Sequence, residues 1–331
     1  MGNARNETID SLKGMLMILV VFGHVVYLGS GASFFGIIRE VIYIFHMPIF
    51  LFISGYFFTP VENSKSAYSI VRKLLVPYFI FYISYLFLLY VVTVYFSNVS
   101  TSNKVSDIYD IPYYIFIEPL SSYWYLHSLM LFYFLYSFFN NLFLRFPLLI
   151  VRYFLCVFSV LGCILVLNLL GVKVYLWVFS YLLLGVGFKI LIDKFGGEFN
   201  LYLSKIRLVS FISLFISFVM FLYLPVSDIY NNGLLRMIAC LGVIPLLYVL
   251  VQYSSVILPL IGRSSLIIFL VHVYFLNILK VFANSLLTLD STGTIFMLLS
   301  VLLSVILPVF LAMFFDRINV SKIIFGRKSI L

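Results

Sequence analysis

Of the 331 residues, 64% are hydrophobic and only 10% are charged, whereas a soluble domain carries about a quarter charged residues to keep its surface solvated. With a mean hydropathy of +1.16, the chain must turn apolar surface towards lipid, where helices or closed barrels are the only spanning forms. The net charge of +9 does not indicate nucleic acid, because the basic residues are scattered among the loops.

The apolar stretches match the roughly 20 residues of a helical span and are too long for barrel strands of about ten. In chain order the predicted spans are 12–30, 35–58, 74–96, 123–144, 149–170, 174–192, 206–224, 234–251, 264–284 and 293–316. Breakers separate them: Thr59-Pro60, Phe146-Pro147, Gly196-Gly197, Pro225 and the Ser291-Thr292-Gly293 turn. The polar start, Met1 to Lys13, runs straight into a full span with no small-residue cleavage signal, so it reads as a retained first helix. No repeat or soluble domain interrupts the pattern, and residues 1–331 read as one membrane domain. Cys156, Cys163 and Cys240 lie in apolar stretches without metal-ligand spacing, which argues against both a disulfide framework and a metal site.

Lys and Arg set the orientation, because the cytoplasmic side retains them. With the N-terminus inside, the other side holds only Arg39, Lys104, Lys173, Arg236 and Lys280 of the 21 basic residues. The reading is an all-α, polytopic membrane protein of about ten transmembrane helices with both termini cytoplasmic.

Ionisable groups inside spans are expensive, and those that stay are functional candidates. All four histidines fall in spans. At about 1.5 Å rise per residue, His24 and His46 each lie roughly 18 Å from the inner ends of their spans, and His272 roughly 12 Å from that of its own. Any one of them is more often a satisfied bundle histidine, but three at similar depth point to a shared site. His127 lies near the outer surface. Around the first helix Lys13 and His24 differ by only about 20°, and Asp10 and His24 by about 40°. One face therefore carries an ionic pair below an imidazole. In the second span Pro48 weakens the helix beside His46, and Ser54-Gly55 offers a small surface to another backbone or a thin ligand. Arg72-Lys73 at a cytoplasmic interface usually serves topology alone. Alongside Arg5, Lys13 and Arg263, the pair is also a candidate phosphate-binding collar.

These residues form a pattern. RNETIDSLKGMLMILVVFGH at 5–24, FHMPIFLFISGYFF at 45–58, RKLLVPYF at 72–79, YWYLHSLM at 123–130 and GRSSLIIFLVH at 262–272 resemble, in order, the membrane acyltransferase-3 family. These are bacterial enzymes that O-acylate cell-surface and exported carbohydrates. Where that family often has Arg, this chain has Lys13, and a fuller Arg-x-x-Arg motif is reduced to Arg72-Lys73. Within the family the chain resembles the short forms that lack an extracytoplasmic hydrolase-like domain.

The resemblance implies acetyl-coenzyme A as co-substrate, a glycan or lipid-linked sugar as acceptor, and a place in the bacterial cytoplasmic membrane. It implies no metal. His24 becomes the candidate general base or acyl carrier, Asp10 the group that orients Lys13, and His46 and His272 candidates for orienting the arm or the oxyanion. Lys13, Arg72, Lys73, Ser54, Gly55, Arg263 and His272 become candidates for holding the coenzyme, its nucleotide at the basic rim and its thin arm between helices. Tyr123, Trp124, Tyr125 and Glu118 become candidates for the sugar, although aromatic belts are common at bilayer interfaces. The alternative is a transporter or polymerase of lipid-linked polysaccharide, which would also explain deep histidines but commonly shows internal repeats. A purely structural subunit would leave the histidines unexplained.

Overall fold

The computed structural model describes residues 7–61, 63–95, 104–195, 207–252, 257–327 and 329–330. Among the described residues every regular element is a helix. In chain order they are α1 (Glu7–His24), α2 (Ala32–Tyr56), α3 (Ser64–Ile70), α4 (Val76–Tyr95), α5 (Ile111–Phe116), α6 (Trp124–Leu142), α7 (Leu149–Leu169) and α8 (Leu176–Phe195). Then follow α9 (Arg207–Tyr223), α10 (Val226–Asn231), α11 (Gly233–Gln252), α12 (Ile257–Arg263), α13 (Ser265–Lys280), α14 (Ala283–Leu289), α15 (Thr294–Arg317) and α16 (Val320–Ile324). Arg5 and the loop residues 96–103 and 196–206 lie outside the described residues.

Among the described residues six helical stretches are long and apolar enough to cross a membrane: α2, Lys65–Tyr95, α7, Leu176–Lys194, α11 and α15. A seventh arises if α12 and α13, bent by 85° at Ser264, count as one broken span. Each of the ten predicted segments contains a helix, but the remainder are less apolar or shorter. α1 carries Glu7, Asp10 and Lys13, α6 carries His127, Asn140 and Asn141, and α9 has 17 residues.

Two compact units emerge among the described residues, one from 7–54 with 191–311 and one from 55–190 with 312–330. In the first unit α1 packs on α12, α11 and α13. The approach of α1 to α12 is backbone on backbone. A Cβ on Gly14 would stand 2.2 Å from the Leu258 carbonyl oxygen, and one on Gly262 only 1.8 Å from that of Asp10. Close approach of this kind needs small residues, because in lipid helix association rests on packing and hydrogen bonds.

The predicted first span ran to residue 30, but α1 ends at His24. Beyond it Gly29 takes φ +78° and Gly293 φ +77°, conformations that an L side chain rarely adopts. The two turns clasp: the amides of Ser30 and Gly31 donate to the carbonyls of Ser291 and Thr292, both at 3.0 Å. Beside this clasp Val25, Leu276, Ala283, Phe296 and Met297 form a buried apolar cluster.

In the second unit α3 and α4 are joined by a π turn, Val71–Leu75. Pro77 explains its place, since it has no N–H to continue the α ladder and crowds the preceding turn. On α4, Tyr78, Tyr82 and Tyr85 are buried together with Tyr123.

The glycine contacts give a direct test by thermal unfolding in detergent. Gly262→Ala should lose about 1–3 kcal/mol, the usual cost of overpacking. Gly162→Ala on α7, where an added Cβ meets nothing within 4 Å, should be neutral or gain up to about 1 kcal/mol. Equal melting temperatures for the two variants would contradict the close approach.

Candidate functional site

Three imidazoles of the first unit are held in the same way. The Nδ1 atoms of His24, His46 and His272 lie 2.8, 2.7 and 2.9 Å from the carbonyl oxygens of Val20, Ile42 and Ile268. A carbonyl only accepts, so each Nδ1 carries the proton, and the neutral ring keeps its lone pair on Nε2. The backbone of each helix thereby sets the tautomer that a general base or nucleophile requires.

The structure brings two of these rings together. His24 and His272 meet edge to face with centroids 5.2 Å apart. His272 is fully buried and its Nε2 has no hydrogen-bond partner, whereas His24 is half-buried. His46 is buried and lies within electrostatic reach of His24. Its ring stands 5.1 Å from that of Tyr43, whose hydroxyl donates to the Gly23 carbonyl at 2.7 Å. Rather than lying mid-helix, His24 closes α1, so its ring projects where regular backbone ends.

The carboxylate of Asp10, also on α1, is buried and faces the Arg263 guanidinium at 3.6 Å. Arg263 reaches Glu7 at the same distance and lies in the last turn of α12, where a cation complements the helix dipole. The acidic partner expected to orient Lys13 therefore also engages Arg263. Lys13 itself is half-buried one turn further along α1. Among the described residues, no three His, Cys, Asp or Glu side chains converge to hold a metal ion.

Other candidates have different surroundings. Ser54 donates to the Phe50 carbonyl at 2.8 Å within α2. At Gly55 the approaching group is backbone, since a Cβ there would stand 2.0 Å from the Leu182 carbonyl oxygen. That side of the glycine is filled by α8 and leaves no room for a thin ligand. Arg72 and Lys73 sit in the π turn of the second unit. Arg72 donates to the Lys322 carbonyl at 3.0 Å and lies over the Tyr68 ring, while Lys73 is exposed.

The aromatic platform needs correction. Tyr123 is fully buried and stacks on Tyr82 at 4.4 Å, and Tyr125 is also buried. Neither presents a free face to a sugar ring. Their aromatic surface instead closes the core of the second unit, where burying large rings stabilises more than exposing them. Trp124 alone is half-buried, beside Tyr175 and Trp177. Glu118 is held by Lys173 and accepts from the Tyr113 hydroxyl at 3.0 Å. The hydrogen bond from Lys173 holds its carboxyl below the usual range.

Sequence reading missed Arg236. Counted only as an outer topology charge, it is buried close to His46. Its position three residues into an apolar helix was the available signal, since a charge there is rare without a partner.

Two outcomes follow for the second unit. The Tyr82 hydroxyl donates to the Tyr114 carbonyl and accepts from the Leu120 amide, so Tyr82→Phe should cost about 1–3 kcal/mol in thermal unfolding by leaving buried groups unmet. A depressed carboxylate contributes above its unfolded pKa, and the contribution is lost as pH falls through the folded one. Melting curves should therefore show the small penalty of Glu118→Gln at pH 7 and none once the carboxyl is protonated.

Comparison with known proteins bears on the family. A family model described as Acyltransferase domain matches residues 6–313. Nodulation protein NolL of Sinorhizobium fredii is 45% identical over 58 residues, and its counterpart in Mesorhizobium japonicum is 41% identical over 58 residues. Each match covers 16% of this chain and 16% of the relative's own length. No solved structure matches. With the family model spanning nearly its whole length, the chain belongs to the membrane acyltransferase-3 family.

Proposed function

We propose that the protein is an O-acetyltransferase that moves an acetyl group from acetyl-coenzyme A to a hydroxyl of a cell-surface or lipid-linked glycan. The observation that carries the reading is the His24–His272 pair, with both Nδ1 atoms committed to backbone carbonyls. His24 Nε2 takes the proton of the acceptor hydroxyl as its oxygen attacks the thioester carbonyl. The C–S bond breaks as the C–O bond forms, and the imidazolium returns its proton to the leaving thiolate. His272, with its unpartnered Nε2 beside this ring, is placed to accept a hydrogen bond from the imidazolium while the proton resides on His24. Lys13 and Arg263 offer cationic charge to coenzyme phosphates at the far end of α1, and Arg72 with Lys73 is a further basic pair.

In this reading all ten helical segments span a bacterial cytoplasmic membrane, α12 with α13 counting as one broken span, and both termini are cytoplasmic. The donor then enters from the Lys13 side and the acceptor meets His24 from the opposite side.

The first expected outcome is that His24→Ala retains membrane-inserted protein but loses acetyl transfer by about a hundred- to ten-thousand-fold. Near-normal transfer would remove His24 from the chemistry. The second uses sealed vesicles of known orientation: acetyl-coenzyme A supplied on the Lys13 side should label the glycan, and supplied on the opposite side should not. Glycan movement without any acetyl label would favour transport.

A further inference from the structure

Arg236 makes contacts that the acyl-transfer chemistry itself does not require. It enters α11 near its start and is buried. Its Nε donates to the carbonyl of Ile44 and its Nη2 to that of Tyr43, both at 3.0 Å. The guanidinium lies 4.6 Å over the Tyr230 ring, and the Cys240 thiol on the same helix stands 3.5 Å from the Ile44 oxygen.

The choice of carbonyls has a cause in sequence. Pro48 stands four residues after Ile44 inside α2. A proline has no N–H for the carbonyl four residues earlier, and its ring crowds that oxygen. Ile44 has therefore lost its helical donor in a region without water, where backbone acceptors must find another. Arg236 supplies it. The planar fork suits two neighbouring oxygens, which a lysine ammonium could not reach in the same way.

The clamped turn also carries the site. The next carbonyl back, Ile42, accepts from His46 Nδ1. Between them, Tyr43 reaches with its hydroxyl to Gly23, the residue preceding His24. One guanidinium thus governs a turn that holds His46 directly and braces the end of α1.

We propose that Arg236 is a positioning residue of the acyl-transfer site, and that it acts by satisfying the backbone acceptor orphaned by Pro48. The role rests on the acetyltransferase reading, while the clamp itself does not.

The test uses the full chain with Arg236→Met, Arg236→Lys, Pro48→Ala and the Pro48→Ala/Arg236→Met double variant. Turnover and the KM for acetyl-coenzyme A are measured in vesicles, and the melting temperature in detergent. Both Arg236 variants should lower kcat by about ten- to a hundredfold, as small misplacements do, with the coenzyme KM changed by no more than about twofold. In the Pro48→Ala background the residue-48 N–H is restored, and the same loss of Arg236 should cost about threefold or less, a coupling that independent sites would not show. Wild-type turnover in Arg236→Lys would overturn the proposal, because charge alone would suffice. So would losses that multiply independently in the double variant, or a loss confined to KM.

Should Arg236→Met fail to accumulate, recovery of the folded double variant supports the clamp, and its absence overturns it. If the wild-type chain transfers no acetyl group, the functional reading fails. The melting-temperature coupling between residues 48 and 236 then decides the clamp on its own.

Discussion

Inside lipid a backbone carbonyl has no water to turn to, and that constraint shapes the site more than any single charge. Val20, Ile42 and Ile268 each accept from an imidazole Nδ1 four residues on. The bond is local, so it is available to any helical histidine, and it leaves Nε2 turned away from its own backbone. A site built this way needs no buried carboxylate to fix the tautomer. The carboxylate that α1 does bury, Asp10, faces Arg263, fourteen residues short of the end of the helix where His24 stands.

Much of this was legible in the residues. Hydrophobic length located a helix in each predicted segment, because apolar runs of this size have few alternatives in lipid. The pairing of His24 with His272 follows less directly. Similar depth in two spans allows a meeting, but only the close approach of α1 to its neighbours produces one. Glycine spacing hinted at such approaches without naming partners. Gly55 was read as room for another backbone or a thin ligand, and it is the backbone carbonyl of Leu182 that approaches it. The end of α1 was also misplaced, since Val25-Val26-Tyr27-Leu28 continues the apolar run while the clasp of Gly29 and Gly293 has already turned the chain.

Aromatic residues were the least legible. Tyr123, Trp124 and Tyr125 are adjacent in sequence and similar in composition, yet two are buried and one is half-buried. Composition says that such rings favour interfaces, but their fate depends on which neighbouring helix offers a matching face. Tyr82 offers one to Tyr123. Arg236 teaches the complementary lesson. Counting charges for topology treats every arginine alike, although its burial could be anticipated from the broken helix that needed its donors.

The π turn at Val71–Leu75 has a consequence for how this chain can change length. One extra residue per turn rotates everything downstream by about 100° relative to an uninterrupted α-helix. Tyr78, Tyr82 and Tyr85 face inwards only in that rotated register. A one-residue deletion within 71–75 would remove the extra residue and let the turn close as ordinary α-helix, leaving the tyrosine stripe on its inward face. A second deletion, with no wide turn left to absorb it, would swing the stripe out of the core. In this helix, phase is a heritable property distinct from composition, and the π turn is the place where a single-residue change in length can be absorbed.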